Sequence, residues 1–176
     1  MRKLQNDELG RLSPEEFALS PKQAVWVILD NVRSQQNIGS VFRTSDAFNL
    51  AGILLCGISA TPPQREIHRT ALGSEDTVVW KYFEKTLDAL AFARAEGHIL
   101  IAIEQAEGSI SLTDFPAHEH KQMALIFGNE IDGVSQEVMD QVDYCIEIPQ
   151  FGTKHSINVA VSAGIVIWHL TAGSTI

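Results

Sequence analysis

Apolar residues come along this chain in short unbroken runs, each closed by a polar, turn-forming stretch. Ala24-Val-Trp-Val-Ile-Leu29, Gly52-Ile-Leu-Leu-Cys-Gly57, Val78-Val-Trp-Lys-Tyr82, His98-Ile-Leu-Ile-Ala-Ile-Glu104, Met123-Ala-Leu-Ile-Phe-Gly128 and Tyr144-Cys-Ile-Glu-Ile-Pro149 are the six examples. Alternation would mark a sheet with one wet face, whereas unbroken runs mark strands covered on both sides. The stretches between them carry helical periodicity. One helix follows the first run with Asn37 at its start. Thr86 caps another that ends near Gly97, with Leu87, Leu90, Ala91 and Ala95 on its apolar face, and Ser135 caps a short one over residues 135–142. The last, over residues 156–171, is apolar nearly all round through Val159, Val161, Ile165, Val166 and Trp168, with Gly173 ending it. Such a helix is buried inside the domain or against a second copy. Residues 60–74 read as a long loop. The alternation predicts an α/β fold: a mostly parallel sheet with helices on both faces. Residues 1–22 read as a polar N-terminal arm holding a short helix at Ser13-Pro-Glu-Glu-Phe17, with Ser at the N-cap, Pro at the first turn and Glu at the third position. Residues 23–176 form the domain.

With 176 residues, 45% of them apolar, the chain has enough material for one real core. The first residues lack the apolar segment of a secretion signal, and the longest apolar stretch, 157–170, is interrupted and too short to span a bilayer. A cytoplasmic protein with no membrane contact is the expectation. Cys56 and Cys145 both fall inside strands and read as reduced core thiols. Charge alters the picture more. The net value of −9 opposes nucleic-acid binding. Residues 75–147, however, hold 15 acids against 4 bases, while the rest of the chain holds 9 bases against 7 acids. Arg33, Arg43, Arg65, Arg69 and Lys154 lie in or near the turns that close the strands. A basic face on an acidic body is therefore compatible with the sequence.

The polar stretch after the first strand, Asn31-Val-Arg-Ser-Gln-Gln-Asn-Ile-Gly-Ser-Val-Phe-Arg43, is the richest in candidate chemistry. Asn37 is a strong helix cap, Gly39 leaves the first turn open, and Asn37, Ser40 and Arg43 recur every three residues on a polar face. An arginine there suits an anion, and equally suits a surface pair with Asp46. Other nucleotide folds lack their signatures, with no G-x-G-x-x-G after the first strand and no G-x-x-x-x-G-K-[ST], and Ser156 lacks the G-x-S-x-G context of a hydrolase nucleophile. His118-Glu-His120 sits in a polar loop without cysteine partners, so no metal site is expected.

Two later stretches resolve the ambiguity: Phe127-Gly128-Asn-Glu130-Ile-Asp-Gly133-Val and Ile148-Pro-Gln-Phe-Gly152-Thr-Lys-His-Ser156-Ile-Asn158-Val. Together with Asn37-x-Gly39-x-x-x-Arg43-Thr, they resemble the three ordered motifs of the SpoU/TrmH family of SPOUT RNA methyltransferases. The resemblance runs from about Val25 to Trp168. Departures are mild: Gln150 stands where methionine is usual, Ile157 where leucine or methionine is, and Ala160 where serine is common. The family implies S-adenosyl-L-methionine as cofactor, an RNA ribose 2′-hydroxyl as methyl acceptor, a carboxy-terminal trefoil knot and a homodimer. It also implies Asn37, Arg43, Glu130, Ser156 and Asn158 as catalytic-site residues, with a cofactor pocket at Ile103, Gly128, Ile148, Ser156 and Ile157. Arg43 is the family's central arginine. A guanidinium with a pKa above ~12 is a poor base but a good bidentate phosphate clamp. With only a short arm before Val25, tRNA is the expected target in preference to a large ribosomal one. A base methyltransferase of the same fold, or a non-catalytic RNA-binding protein, are the competing readings.

Overall fold

The computed structural model describes residues 1–172. Among them, the unbroken apolar runs become strands: β1 (Gln23–Asp30), β2 (Leu50–Cys56), β3 (Trp80–Phe83), β4 (Ile99–Ile103), β6 (Met123–Phe127) and β7 (Tyr144–Glu147). A two-residue strand, β5 (Ile110–Ser111), is too short for periodicity to reveal. All pair in parallel, in the order β3-β2-β1-β6-β4-β7-β5.

The two-sided burial expected from the runs is realised residue by residue. Val25, Val27 and Leu29 of β1, with Ile53, Leu55, Leu125 and Phe127, enter one core layer; Trp26, Ile28, Leu54, Ala124 and Ile126 enter the other. The first layer is closed by α2 (Gln35–Ala47), α3 (Arg65–Ala71) and α7 (Val159–Thr171), through Ile38, Phe42, Ile67, Val166 and Ile167. The second is closed by α5 (Thr86–Ala95) and α6 (Gln136–Met139), through Ala89, Leu90, Ala93 and Val138. Burying roughly 1.5–3 kcal/mol of transfer free energy per large side chain on both faces makes the sheet the centre of stability.

Several helix starts differ from the sequence expectation. Ser34, not Asn37, caps α2, its hydroxyl accepting from Asn37 N at 3.3 Å. Thr86 is already helical and donates its hydroxyl to the buried carboxylate of Asp30 at 2.6 Å. The last helix begins at Val159 rather than at 156, because Asn158 caps it by accepting from Ala160 N and Val161 N. The expected loop of residues 60–74 contains α3 and leads into α4 (Ser74–Thr77). Polar α3 had little apolar periodicity to betray it, and its register is set by contact with α2. A Cβ on Gly39 would lie 2.3 Å from Ile67 O and 2.1 Å from Thr70 Oγ1, so glycine is what allows the two helices to touch. Gly173 lies outside the described residues.

In the arm, α1 (Pro14–Leu19) has the expected reciprocal cap: Glu16 N donates to Ser13 Oγ and Ser13 N to Glu16 Oε2. Phe17 is buried, and Lys22, whose ammonium lies over its ring, also donates to Asn49 Oδ1. The arm is thereby tied to the start of β1. Cys56 lies in the core of β2 and Cys145 in β7; burial pushes the Cys56 thiol up to about 12, so neither behaves as a reactive thiolate. His120 is not a solvated loop residue, since its ring packs against Phe115 and Tyr144. Among the described residues no helix is long and apolar enough to cross a membrane.

Candidate active site

Parallel sheets collect ligand sites at the carboxyl ends of their strands, where the chain leaves in different directions. Here β4 ends at Ile103, β6 runs into Gly128, and the segment after β7 passes Ile148 and returns at Ser156 to start α7. These four positions, with Ile157, Phe127 and Val159, wall a cavity of about 420 Å³. Its polar lining comes from Glu104, Gln105, Asn129, Glu130, Asp132, Gln150, Ser156, Asn158 and Ser162. All five residues expected to hold the cofactor therefore meet in one place. The size falls in the range of small-molecule sites.

Gly128 permits the close approach that shapes this cavity. The turn that follows folds back so tightly that Asn129 N donates to Gly133 O and Gly133 N to Asn129 O, each at 3.1 Å. Asn129 Oδ1 accepts from Ile131 N and Asp132 N, fixing the turn from inside. Glu104 braces it from β4, its carboxylate accepting from Val134 N at 3.0 Å and from Gln105 N at 2.9 Å. Glu104 escaped the sequence reading. Its only signal was an acid placed directly after an apolar strand.

Glu130, at the tip of that turn, accepts from Arg33 N and Ser34 N, both at 3.2 Å, and from Asn37 Nδ2 at 3.1 Å. Burial pushes its pKa up, but these donors together with its own backbone amide outweigh burial and hold the carboxyl below its ordinary range. Glu130 is thus a carboxylate whose oxygens are already engaged at the first turn of α2, a tether and not a free base. Asn37 Oδ1 in turn accepts from Asn158 Nδ2 at 3.1 Å. The three sequence motifs are joined by side-chain hydrogen bonds running Glu130–Asn37–Asn158 across 121 residues of chain. Ser156 lines the cavity with a hydroxyl that makes no hydrogen bond among the described residues.

Arg43 is not brought to this cavity. It lines a separate shallow depression with Ser40, Thr44, Ala47, Phe48 and Thr70. Six residues at 3.6 per turn carry it about 120° round α2 from Asn37, so the two do not share a face as the triplet spacing suggested. Nor does it pair with Asp46, which accepts instead from Thr77 Oγ1 at 2.9 Å. The guanidinium is exposed and makes no ion pair among the described residues.

The lining suits S-adenosylmethionine on chemical grounds. Ile103, Phe127, Ile148 and Ile157 offer apolar walls that suit a purine, the glycine-shaped turn exposes backbone, and the Glu104, Glu130 and Asp132 side chains in the lining suit a ligand that carries positive charge.

Comparison with known proteins identifies the family. The model of the SpoU rRNA Methylase family matches residues 24–168. The chain is 30% identical over 159 residues to the 23S rRNA (guanosine(2553)-2′-O)-methyltransferase RlmP of Bacillus subtilis, covering 89% of this chain and 61% of that protein. It is 28% identical over 163 residues to a tRNA (guanosine(18)-2′-O)-methyltransferase of Thermus thermophilus, covering 92% and 81%. Among solved structures, an AdoMet-bound rRNA methyltransferase from Sinorhizobium meliloti superimposes with a TM-score of 0.79 at 30% identity, over 91% of this chain and 60% of that one. The chain spans about three fifths of the Bacillus and Sinorhizobium proteins.

Proposed function

Because the chain belongs to the SpoU rRNA Methylase family, we propose that it transfers a methyl group from S-adenosylmethionine to a ribose 2′-hydroxyl of RNA, with tRNA as the substrate class. The observation that carries this reading is the Glu130–Asn37–Asn158 line of hydrogen bonds at the wall of the 420 Å³ cavity. The relatives named as RNA 2′-O-methyltransferases support it, and one solved relative binds AdoMet.

When bound, the cofactor supplies an electrophilic methyl on a sulfonium. The protein's task is then alignment, worth up to roughly 7–11 kcal/mol for a well-oriented reacting pair. Ile103, Gly128, Ile148, Ser156 and Ile157 hold the cofactor. The Ser156 hydroxyl and the amides of Asn37 and Asn158 orient the ribose, and Glu130 keeps those amides in place. Arg43 clamps the neighbouring phosphate with its planar fork and stabilises negative charge on the ribose oxygen.

Because Arg43 lies apart from the cavity of its own chain, it serves the cavity of a second copy. Support comes from α7. Its inner side is buried, while Val161, Ile165 and Trp168 are 52%, 38% and 61% exposed at i, i+4 and i+7, a single apolar stripe. Trp168 touches Phe48, which lines the Arg43 depression. A homodimer through this stripe covers it and sets Arg43 against the partner. In this reading the carboxy-terminal segment is threaded as a trefoil knot, consistent with the chain passing from β7, between β4 and β5, back to α7, which packs on α2.

The test is methylation of RNA in vitro followed by nuclease digestion and mass spectrometry of the nucleosides. A 2′-O-methylated nucleoside from tRNA is expected. A base-methylated nucleoside, or no product from any RNA, replaces this reading with the alternative fold-sharing activities. Light scattering near twice 19.4 kDa checks the dimer.

A further inference from the structure

The segment from Pro149 to Ser156 leaves the sheet and returns to α7 with every residue exposed. In its middle stands Phe151, 96% exposed. A phenylalanine left in water forgoes roughly 1.5–3 kcal/mol of burial free energy, so a ring held out this far needs a reason. It joins neither core layer and forms no aromatic pair among the described residues. The neighbouring Gly152 has open space around it, so the loop is not pressed outward by packing.

Its place narrows the options. Gln150 and Ser156, on either side in sequence, line the methyl-donor cavity, but Phe151 does not. The ring therefore belongs to the rim and not to the cofactor pocket. Gln105 Nε2 donates to His155 O at 2.8 Å, fastening this loop to the end of β4 at the cavity wall. Between 148 and 157 the loop carries Lys154 and His155 and no acid, on a chain whose net charge is −9. An exposed aromatic face beside positive charge, on a polar loop at the edge of a catalytic cavity, matches what unstacked RNA bases require. Single-stranded nucleotides are held by stacking on aromatic rings, while cations meet the backbone.

We propose that Phe151 is a positioning residue that stacks on a base of the RNA beside the methylated ribose, with Lys154 meeting the adjoining phosphate. The inference rests on the RNA-methylation reading for its purpose, but its physical content is base stacking and is measured without methyl transfer. Stacking supplies hold on the nucleotide without hydrogen-bonded readout, so Phe151 tolerates different bases and leaves sequence choice to other contacts.

The experiment measures binding of unfractionated tRNA, and of a single-stranded oligoribonucleotide containing 2-aminopurine, to the full chain and its variants. Phe151→Ala is expected to weaken RNA binding about 5- to 150-fold, the equivalent of the roughly 1–3 kcal/mol of a base–aromatic stack. It should abolish quenching of the 2-aminopurine, and Phe151→Trp should restore both. Affinity for S-adenosylmethionine and the mass by light scattering should stay at wild-type values. Unchanged RNA affinity in Phe151→Ala, or no binding of either RNA by the wild type, overturns the proposal. A fall in cofactor affinity alone assigns Phe151 to the cofactor pocket. A change of mass with RNA binding lost only in parallel assigns it to a subunit contact. If quenching depends on Phe151 while no RNA is methylated, the reaction assignment fails and the stacking role stands.

Discussion

Replacing Gly128 by alanine puts a Cβ 1.9 Å from the carbonyl carbon of Gly133, 2.1 Å from Val134 N and 2.2 Å from Gly133 O. Ordinary contact begins near 3.4 Å, so the turn has to retreat by about 1.5 Å. All three atoms are backbone, and no side chain can swing aside. Moving the turn breaks the paired Asn129–Gly133 hydrogen bonds or the brace from Glu104 to Val134 N. The strain and lost bonds together cost about 2–3 kcal/mol. For a chain of this size that lowers Tm by about 5–10 °C. Because the displaced turn carries Glu130, the tether to Ser34 N and Asn37 loosens and the cavity changes shape. Cofactor affinity should fall at least about tenfold, which is only 1.4 kcal/mol. Differential scanning fluorimetry and titration calorimetry with S-adenosylmethionine measure the two effects. Gly152→Ala, with nothing within 4 Å of the new atom, is the control and should leave Tm unchanged. A Gly128→Ala protein with wild-type Tm and wild-type cofactor affinity would refute the reasoning that this close approach builds the site.

Arg43→Ala should reduce methylation by at least about a hundredfold, the scale for losing one donor to developing charge, and leave cofactor affinity unchanged; Arg43→Lys should recover little, because an ammonium lacks the bidentate fork. An active Ala variant refutes the clamp. In a salt series, Arg65→Ala and Lys154→Ala should each weaken RNA binding and flatten the salt slope by about one unit. Glu84→Gln, Asp88→Asn and Glu96→Gln, around α5 on the opposite side of the sheet from α3, should have much smaller effects, and equal sensitivity in the two sets means the RNA face is misplaced. His98 is buried with both ring nitrogens lacking partners among the described residues, and burial holds its pKa below the ordinary 6.5. The unfolded chain then binds the proton first, so stability contributed by the neutral ring is present above pH 6.5 and is lost as pH falls below it. His98→Leu should flatten chemical-denaturation stability between pH 7 and 5; an unchanged slope assigns the loss to other groups.

The strands were legible because a strand covered on both faces must be apolar at every position, a condition local enough to see in five or six residues. The three motifs were legible as a resemblance, and so was the meeting of Ile103, Gly128, Ile148, Ser156 and Ile157 at the wall of one cavity. Ser13-Pro-Glu-Glu was readable to the hydrogen bond, since a capping box closes within one turn. What the sequence could not decide depends on atoms far apart along the chain. The shift of the α2 cap to Ser34 frees Asn37 to reach Glu130 and Asn158, partners 93 and 121 residues away. Glycine at 39 and 128 announces only an absent side chain; the identity of what comes close, α3 in one case and the turn at Gly133 in the other, is a property of packing. Arg43 shows the limit most sharply. Its residue type and spacing marked it for the site, yet helix geometry turns it out of the cavity of its own chain. α7 behaves likewise: composition made it apolar nearly all round, but only the packed domain shows which stripe is buried and which, at Val161, Ile165 and Trp168, is left for another surface to cover. Local free-energy minima are written in neighbouring residues, whereas the choice of which faces meet is made by the whole chain burying its apolar surface at once.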